Sequence, residues 1–169
     1  GLLVFTYHHS RSEGWTSLAQ AIYGAGFSVV NTHPVKAEMS VATPKSSAKE
    51  PIQLDVIFVC QSLKRDRRQP LETADALSRA PTLAMEKLSR LDNLGLELSK
   101  NDSRVTVISQ FLTLLGPVQS PEFAVRALTD SGESLEQTAE LILAELRDAA
   151  SGKRGGRKGR QLALFSLSD

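Results

Sequence analysis

The first thirty residues constrain the fold more than any other stretch of the chain. Leu2-Leu3-Val4-Phe5-Thr6-Tyr7 is an apolar run too short for a helix and rich in β-formers, and it reads as a strand buried on both faces. A polar break, His8-His9-Ser10-Arg11-Ser12, follows at once. Trp15, Leu18, Ala19 and Ile22 then recur at helical spacing as far as Gly24-Ala25-Gly26, where a glycine can take the left-handed C-terminal position. Phe27-Ser28-Val29-Val30 resumes a strand. Strand, helix and strand in so short a span predict a βαβ crossover with its two strands parallel. Sheets of that kind hold ligands at the carboxyl ends of their strands, and His8 and His9 stand at one such end.

At 169 residues the chain is long enough for one domain with its own core. Its formal charge of +1 hides an asymmetry. Five of the twenty Lys and Arg residues, Lys153, Arg154, Arg157, Lys158 and Arg160, lie in a tail with no acid among them; the other fifteen face nineteen acids, so the remainder carries −4. An acidic body with a basic tail permits contact with a polyanion. The single cysteine, Cys60, excludes an intrachain disulfide or a cysteine-based zinc site and points to a reducing compartment. No segment approaches the roughly twenty apolar residues that cross a bilayer, and the apolar start has neither a basic lead-in nor a cleavage region, so a cytoplasmic location with no membrane partner is expected. A chain whose second residue already belongs to a core strand is expected to be a piece of a longer polypeptide.

After a second strand at Phe27–His33, the stretch from Pro34 to Pro51 is rich in Pro, Ser, Thr and charge and reads as a long irregular connection. Ile52–Cys60 is a third strand. With no helix between them, the second and third strands are expected to be antiparallel neighbours. Gln61–Gln69 is strongly basic, with Lys64, Arg65, Arg67 and Arg68 set against Asp66. It is either a solvated turn or a phosphate-contacting patch. Leu71, Ala74 and Leu77 suit a helix starting at Pro70, which Pro81 interrupts or restarts, and Leu83, Leu88, Leu91 and Leu94 suit a second helix ending at Gly95. Ser103 is a candidate cap for a helix carrying Val107, Ile108, Phe111, Leu112 and Leu115 and ended by Gly116-Pro117. The β-branched Val105-Thr106-Val107-Ile108 keeps a strand in play. Asp130-Ser131-Gly132-Glu133 has a capping-box pattern ahead of an amphipathic helix with Leu135, Ala139, Ile142, Leu143 and Leu146. Residues 151–160 read as solvated, and Gln161–Leu167 as a short docking strand.

Few residues carry chemistry. His8 and His9 are adjacent on a strand end, so they point to opposite faces and do not readily share a metal; one of them can face a substrate. Trp15 is first a core residue and second a stacking platform for a base. Ser12 is a helix cap, next to amides that favour anions. Glu38 and Asp55 are the carboxylates closest to a plausible cleft, but with no paired acid, nucleophile motif or Gly-rich phosphate loop they support no catalytic assignment.

The run Leu3-Val4-Phe5-Thr6-Tyr7-His8-His9, with Trp15, Leu18 and Ala19, then Ala25-Gly26-Phe27, His33-Pro34-Val35 and Glu38, resembles the late part of large bacterial and archaeal adenine-specific DNA methyltransferases. In that family this pattern follows an Asn/Asp-Pro-Pro-Tyr-type motif in the class I S-adenosylmethionine-dependent fold. The resemblance covers residues 1–62. It implies an α/β fold, a partial Rossmann-like methyltransferase sheet of a parallel βαβ plus an antiparallel strand. Leu2–Tyr7 would be its fifth strand, Phe27–His33 its sixth, and Ile52–Cys60 the antiparallel seventh inserted between them. Residues 63–150 would be a helical extension and 151–169 a basic tail with a short terminal segment. The chain contains no glycine-rich cofactor loop after a first strand and no Asp-Pro-Pro-Tyr or Asn-Pro-Pro-Tyr sequence. The resemblance therefore implies a C-terminal part of such an enzyme, inactive alone. S-adenosylmethionine would be bound by the complete enzyme and not by this part. Its partners would be DNA and the missing N-terminal part of the enzyme. The DNA-contact candidates are His8, His9, Trp15, Lys64, Arg65, Arg67, Arg68 and the five tail bases. The competing class is a noncatalytic nucleic-acid-binding α/β module that uses the same bases.

Overall fold

In the computed structural model, which describes residues 1–37, 52–118 and 120–151, the elements run β1 (Leu2–Tyr7), α1 (Ser12–Gly24), β2 (Phe27–Lys36), β3 (Leu54–Ser62), α2 (Thr73–Asn93), α3 (Lys100–Leu115), α4 (Pro121–Asp130) and α5 (Gly132–Ala150). The class is α/β, as expected. The three strands form one sheet in the order β1-β3-β2, with β3 antiparallel to both neighbours. The expected antiparallel pairing of the second and third strands is met. β1 and β2 therefore run in the same direction, but β3 lies between them and they share no ladder. The sequence reading of a parallel βαβ is corrected to that extent: a crossover helix sets the relative direction of its strands, not their adjacency.

Burial alternates along β3. Leu54, Val56, Phe58 and Cys60 are fully buried, while Asp55, Ile57, Val59 and Gln61 are partly exposed. The buried set joins one hydrophobic cluster to which all five helices contribute. At its centre the Phe58 ring stacks on Phe5 at 5.4 Å and meets Tyr7 at 6.5 Å and Trp15 at 6.2 Å. By register the other face of the sheet carries Val4 opposite Val59 and Thr6 opposite Ile57, with Asn31 and His33 from β2. None of these residues belongs to the cluster.

Burial of the first strand on both faces is likewise corrected. Leu2 is 61%, Leu3 41% and Val4 57% exposed. β1 has a neighbour on one side only, and the helical layer lies over one face of the sheet, so the outer edge and outer face of this strand are bare among the described residues.

β2 continues through Pro34 to Lys36, beyond the expected end at His33. Pro34 is tolerated because β2 is an edge strand. A bulge sits between Val29, opposite Cys60, and Asn31, opposite Val59. Below it Val29 faces the core; above it Thr32 and Pro34 do. Thr32 meets polar partners there: its hydroxyl donates to Ser109 Oγ at 3.2 Å and accepts from Gln110 Nε2 at 2.7 Å. Lys87 of α2 donates to the Thr32 carbonyl and to Asn31 Oδ1.

α1 buries Trp15, Ala19, Ile22 and Tyr23 at helical spacing, and Gly26, at φ +79°, makes the turn into β2. α2 is a single helix that runs through Pro81, where a break was expected. Pro81 is buried with Ala80 and Ala84 along the stripe facing α3, and packing of that stripe offsets the local cost of the missing donor. α3 is a helix throughout, which excludes the strand alternative for Val105–Ile108. Its cap is Ser99, not Ser103, in a reciprocal capping box with Asp102. Asp102 is fully buried and also accepts from the backbone N–H groups of Gln53 and Leu54 at 2.8 and 3.0 Å, tying the start of β3 to α3. Ser103 lies inside the helix and donates to the Ala139 carbonyl of α5. α5 is found where expected, although Ser131 makes no side-chain cap. No described helix is long and apolar enough to cross a membrane.

Candidate functional site

The turn from β1 into α1 is held from three directions. The Tyr7 hydroxyl donates to the Gly14 carbonyl at 2.9 Å, and the Trp15 indole N–H donates to the His9 carbonyl at 2.8 Å. From α3, Arg104 donates to the Ser10 carbonyl and, at 2.9 Å, to Ser12 Oγ, while its Nε pairs with Glu136 of α5 at 2.7 Å. These bonds make a loop at the carboxyl edge of the sheet into a fixed platform.

The two histidines of this turn have different environments. His9 turns inward: its Nδ1 accepts from the Arg11 N–H at 3.0 Å, and its ring lies against Gly14. His8 turns outward, with Nδ1 2.5 Å from Asp55 Oδ1 on β3 and a side chain 56% exposed. A carboxylate on one ring nitrogen orients the imidazole and leaves Nε2 as the nitrogen available to a ligand or a proton. The register explains the pair, because Tyr7 lies opposite Val56 and the next residue falls beside Asp55. Trp15 is 1% exposed, so it packs the core and offers no indole face to a base. Beside the turn lies a groove of about 260 Å³, with Trp15, Ile108, Leu128 and Leu135 beneath and Ser12 and Arg104 at its rim.

The basic turn is elsewhere. Because β3 is antiparallel to its neighbours, its carboxyl end lies beside the amino ends of β1 and β2. From Asp55 to Ser62 the strand rises roughly 24 Å at 3.4 Å per residue. His8 and the basic turn thus occupy opposite ends of the sheet, and the structure does not bring them into one cleft. Within the turn, Lys64, Arg65 and Arg67 are exposed, and Arg68 is not equivalent to them. Its guanidinium is drawn onto Asp66 at 2.6 Å, the Val29 carbonyl at 2.7 Å and the Thr113 carbonyl at 3.0 Å. Asp66, whose side chain is 3% exposed, also accepts from Ser28 Oγ at 2.6 Å. Burial alone would raise its pKa, but the Arg68 and Ser28 hydrogen bonds and the Arg68 charge outweigh that and lower it to about 2.

Glu38 and the tail bases Lys153, Arg154, Arg157, Lys158 and Arg160, with Gln161–Leu167, lie outside the described residues. Among the described residues no strand leads into a glycine-rich turn with an acid placed for a ribose. Nor is there a group of three or more His, Cys, Asp or Glu that could hold a metal ion. Asp55 as the partner of His8, Arg104 as the clasp of the turn, and Ser28 with Asp66 as an anchor are not apparent from the sequence. The first of these depends on strand register, and the others on contacts between distant elements.

The chain matches no protein-family model, no curated protein and no solved structure.

Proposed function

We propose that the chain is the C-terminal part of an adenine-specific DNA methyltransferase, supplying the last strands of its sheet and a helical extension. The observation that carries this reading is the strand order β1-β3-β2, with an antiparallel strand between two co-directional strands joined by a helix. That is the arrangement implied by the family resemblance of residues 1–62. The bare edge of β1 supports it: exposed Leu2, Leu3 and Val4 on a strand paired along one side suit a position beside a further strand of the same enzyme.

In this reading S-adenosylmethionine and the target adenine are bound by the part of the sheet beyond β1. A base in duplex DNA must be extruded before its exocyclic amine can be reached. His8, oriented by Asp55 at the carboxyl edge, is the residue of this chain best placed to contact the extruded base or its neighbours. A single buried cysteine and the absence of a spanning helix among the described residues suit a cytoplasmic enzyme.

The test is to express the complete reading frame that encodes this chain and incubate it with DNA and methyl-labelled S-adenosylmethionine. Labelled N6-methyladenine is the expected product. Its absence, in a preparation that is folded and supplied with both substrates, overturns the reading. In an active enzyme, His8→Ala is expected to lower turnover more than cofactor affinity.

A further inference from the structure

The turn between β3 and α2 has a distribution of charge that its position in the fold does not require. Residues 64–68 hold four cations and one carboxylate, net +3, whereas the other described residues hold nine cations and fifteen carboxylates, net −6. The one acid does not neutralise its neighbours. Asp66 is engaged by Arg68 and Ser28, and Arg68 is in turn spent on Asp66 and on the carbonyls of Val29 and Thr113. Lys64, Arg65 and Arg67 remain as three exposed cations within four residues, none of them in an ion pair among the described residues. The next acid along the chain is Glu72, at the N-cap of α2.

The backbone beneath them is fixed. The N–H groups of Arg65 and Asp66 donate to the Ser62 carbonyl at 2.8 and 3.1 Å, the Leu63 N–H donates to the Gly26 carbonyl at 2.9 Å, and the Arg68 N–H donates to Asp66 Oδ1 at 3.0 Å. Cations on a braced turn lose less conformational freedom on meeting a ligand than cations on a loose one. Two of the three are arginines, whose planar forks match phosphate oxygens.

We propose that this turn is a nucleic-acid backbone contact, taking duplex DNA through Lys64, Arg65 and Arg67, with Asp66, Arg68 and Ser28 as positioning residues. It lies at the end of the sheet away from His8, so it does not depend on the methyltransferase reading.

The experiment is a titration of the 169-residue chain with a short DNA duplex at several salt concentrations. Each of Lys64→Gln, Arg65→Gln and Arg67→Gln is expected to lower the log–log salt slope by about 0.9, so the affinity lost between 50 and 200 mM salt shrinks roughly 3.5-fold per variant. Asp66→Asn separates a braced turn from a diffuse positive field. Removing an acid from a merely cationic surface would tighten binding, whereas loss of the brace weakens it. Ser28→Ala, which changes no charge, is expected to weaken binding in the same direction, and it decides the matter if Asp66→Asn does not fold. Tighter or unchanged binding by folded Asp66→Asn and Ser28→Ala overturns the proposal, as does an unaltered slope in the three glutamine variants. Preference for an acidic peptide over the duplex overturns the assignment to DNA. Binding through the turn by a protein whose complete reading frame makes no N6-methyladenine supports this inference and removes the enzyme reading.

Discussion

The imidazole of His9 occupies the space that a side chain at position 14 would need: a Cβ on Gly14 would lie 2.2 Å from His9 Cγ and 2.3 Å from its Nδ1. Gly14 is in the first turn of α1, where alanine would otherwise be favoured by up to about 1 kcal/mol. The overlap reverses that preference, since the ring must leave and give up its bond to the Arg11 N–H. Gly14→Ala is expected to destabilise the fold by about 1–2 kcal/mol. With His9→Ala already present, the same change should become neutral or stabilising. Denaturant midpoints of the two single variants and the double variant measure the coupling; additive effects would contradict the contact.

Asp66 links stability to acid. Its pKa is lowered from the usual carboxylate value to about 2. The contribution is fully present above the unfolded-state pKa of about 4 and is lost as pH falls towards 2. Asp66→Asn should lose it at neutral pH, and the difference between variant and parent should shrink between pH 4 and 2. Thermal melts across that range give the curve, and a constant difference would refute the linkage.

Asp102 is a second buried carboxylate with a structural task. It accepts from the N–H groups of Ser99, Gln53 and Leu54 at 2.8, 2.8 and 3.0 Å, so Asp102→Ala strands three backbone donors. About 3 kcal/mol of destabilisation is expected, against about 1 kcal/mol for Ser99→Ala, which removes only the hydroxyl half of the capping box. Urea unfolding ranks the two, and equal losses would show that the bonds to β3 add nothing.

Cys60 is fully buried in β3, and burial pushes its thiol pKa up to about 11. The reactive thiolate is therefore scarce as well as covered. Alkylation at pH 8 should be negligible in the native protein and should rise in step with unfolding as denaturant is added. Rapid labelling without denaturant would mean that β3 opens locally.

Much of the sheet was legible from local pattern. The Leu2–Tyr7 run, the Trp15–Ile22 spacing and the turn at Gly26 located β1, α1 and β2 to within a few residues, because each is set by short-range chemistry. Burial of β1 was overestimated, since two apolar faces record what a strand can pack against and not what lies beside it. Pro81 reads as a break in the sequence because the cost of a proline is local, whereas the packing that offsets it comes from α3. α4 was overlooked, although Ser120-Pro121-Glu122 carries a start signal and Ser120 Oγ accepts from the Phe123 N–H. Of the candidate site, the opposed directions of His8 and His9 followed from strand geometry. The separation of His8 from the basic turn did not, because it requires knowing that β3 runs against β1. The distinction of Arg68 from its neighbours rests on Val29 and Thr113, which are remote in sequence.

The extra residue in β2 acts as a phase switch. With Val30 in place, the hydroxyl of Thr32 looks into the helical layer and the imidazole of His33 looks out of it. Drawing Val30 into regular alternation, so that it pairs with Val59 in place of Asn31, would turn the remainder of the strand over by half a period, pressing His33 into an oily interior and leaving Ser109 and Gln110 without their hydroxyl partner. A polar seam in the core is thus kept in phase by a local irregularity of the ladder, and removing Val30 outright, which sets Asn31 directly after Val29, should leave Thr32 facing inward.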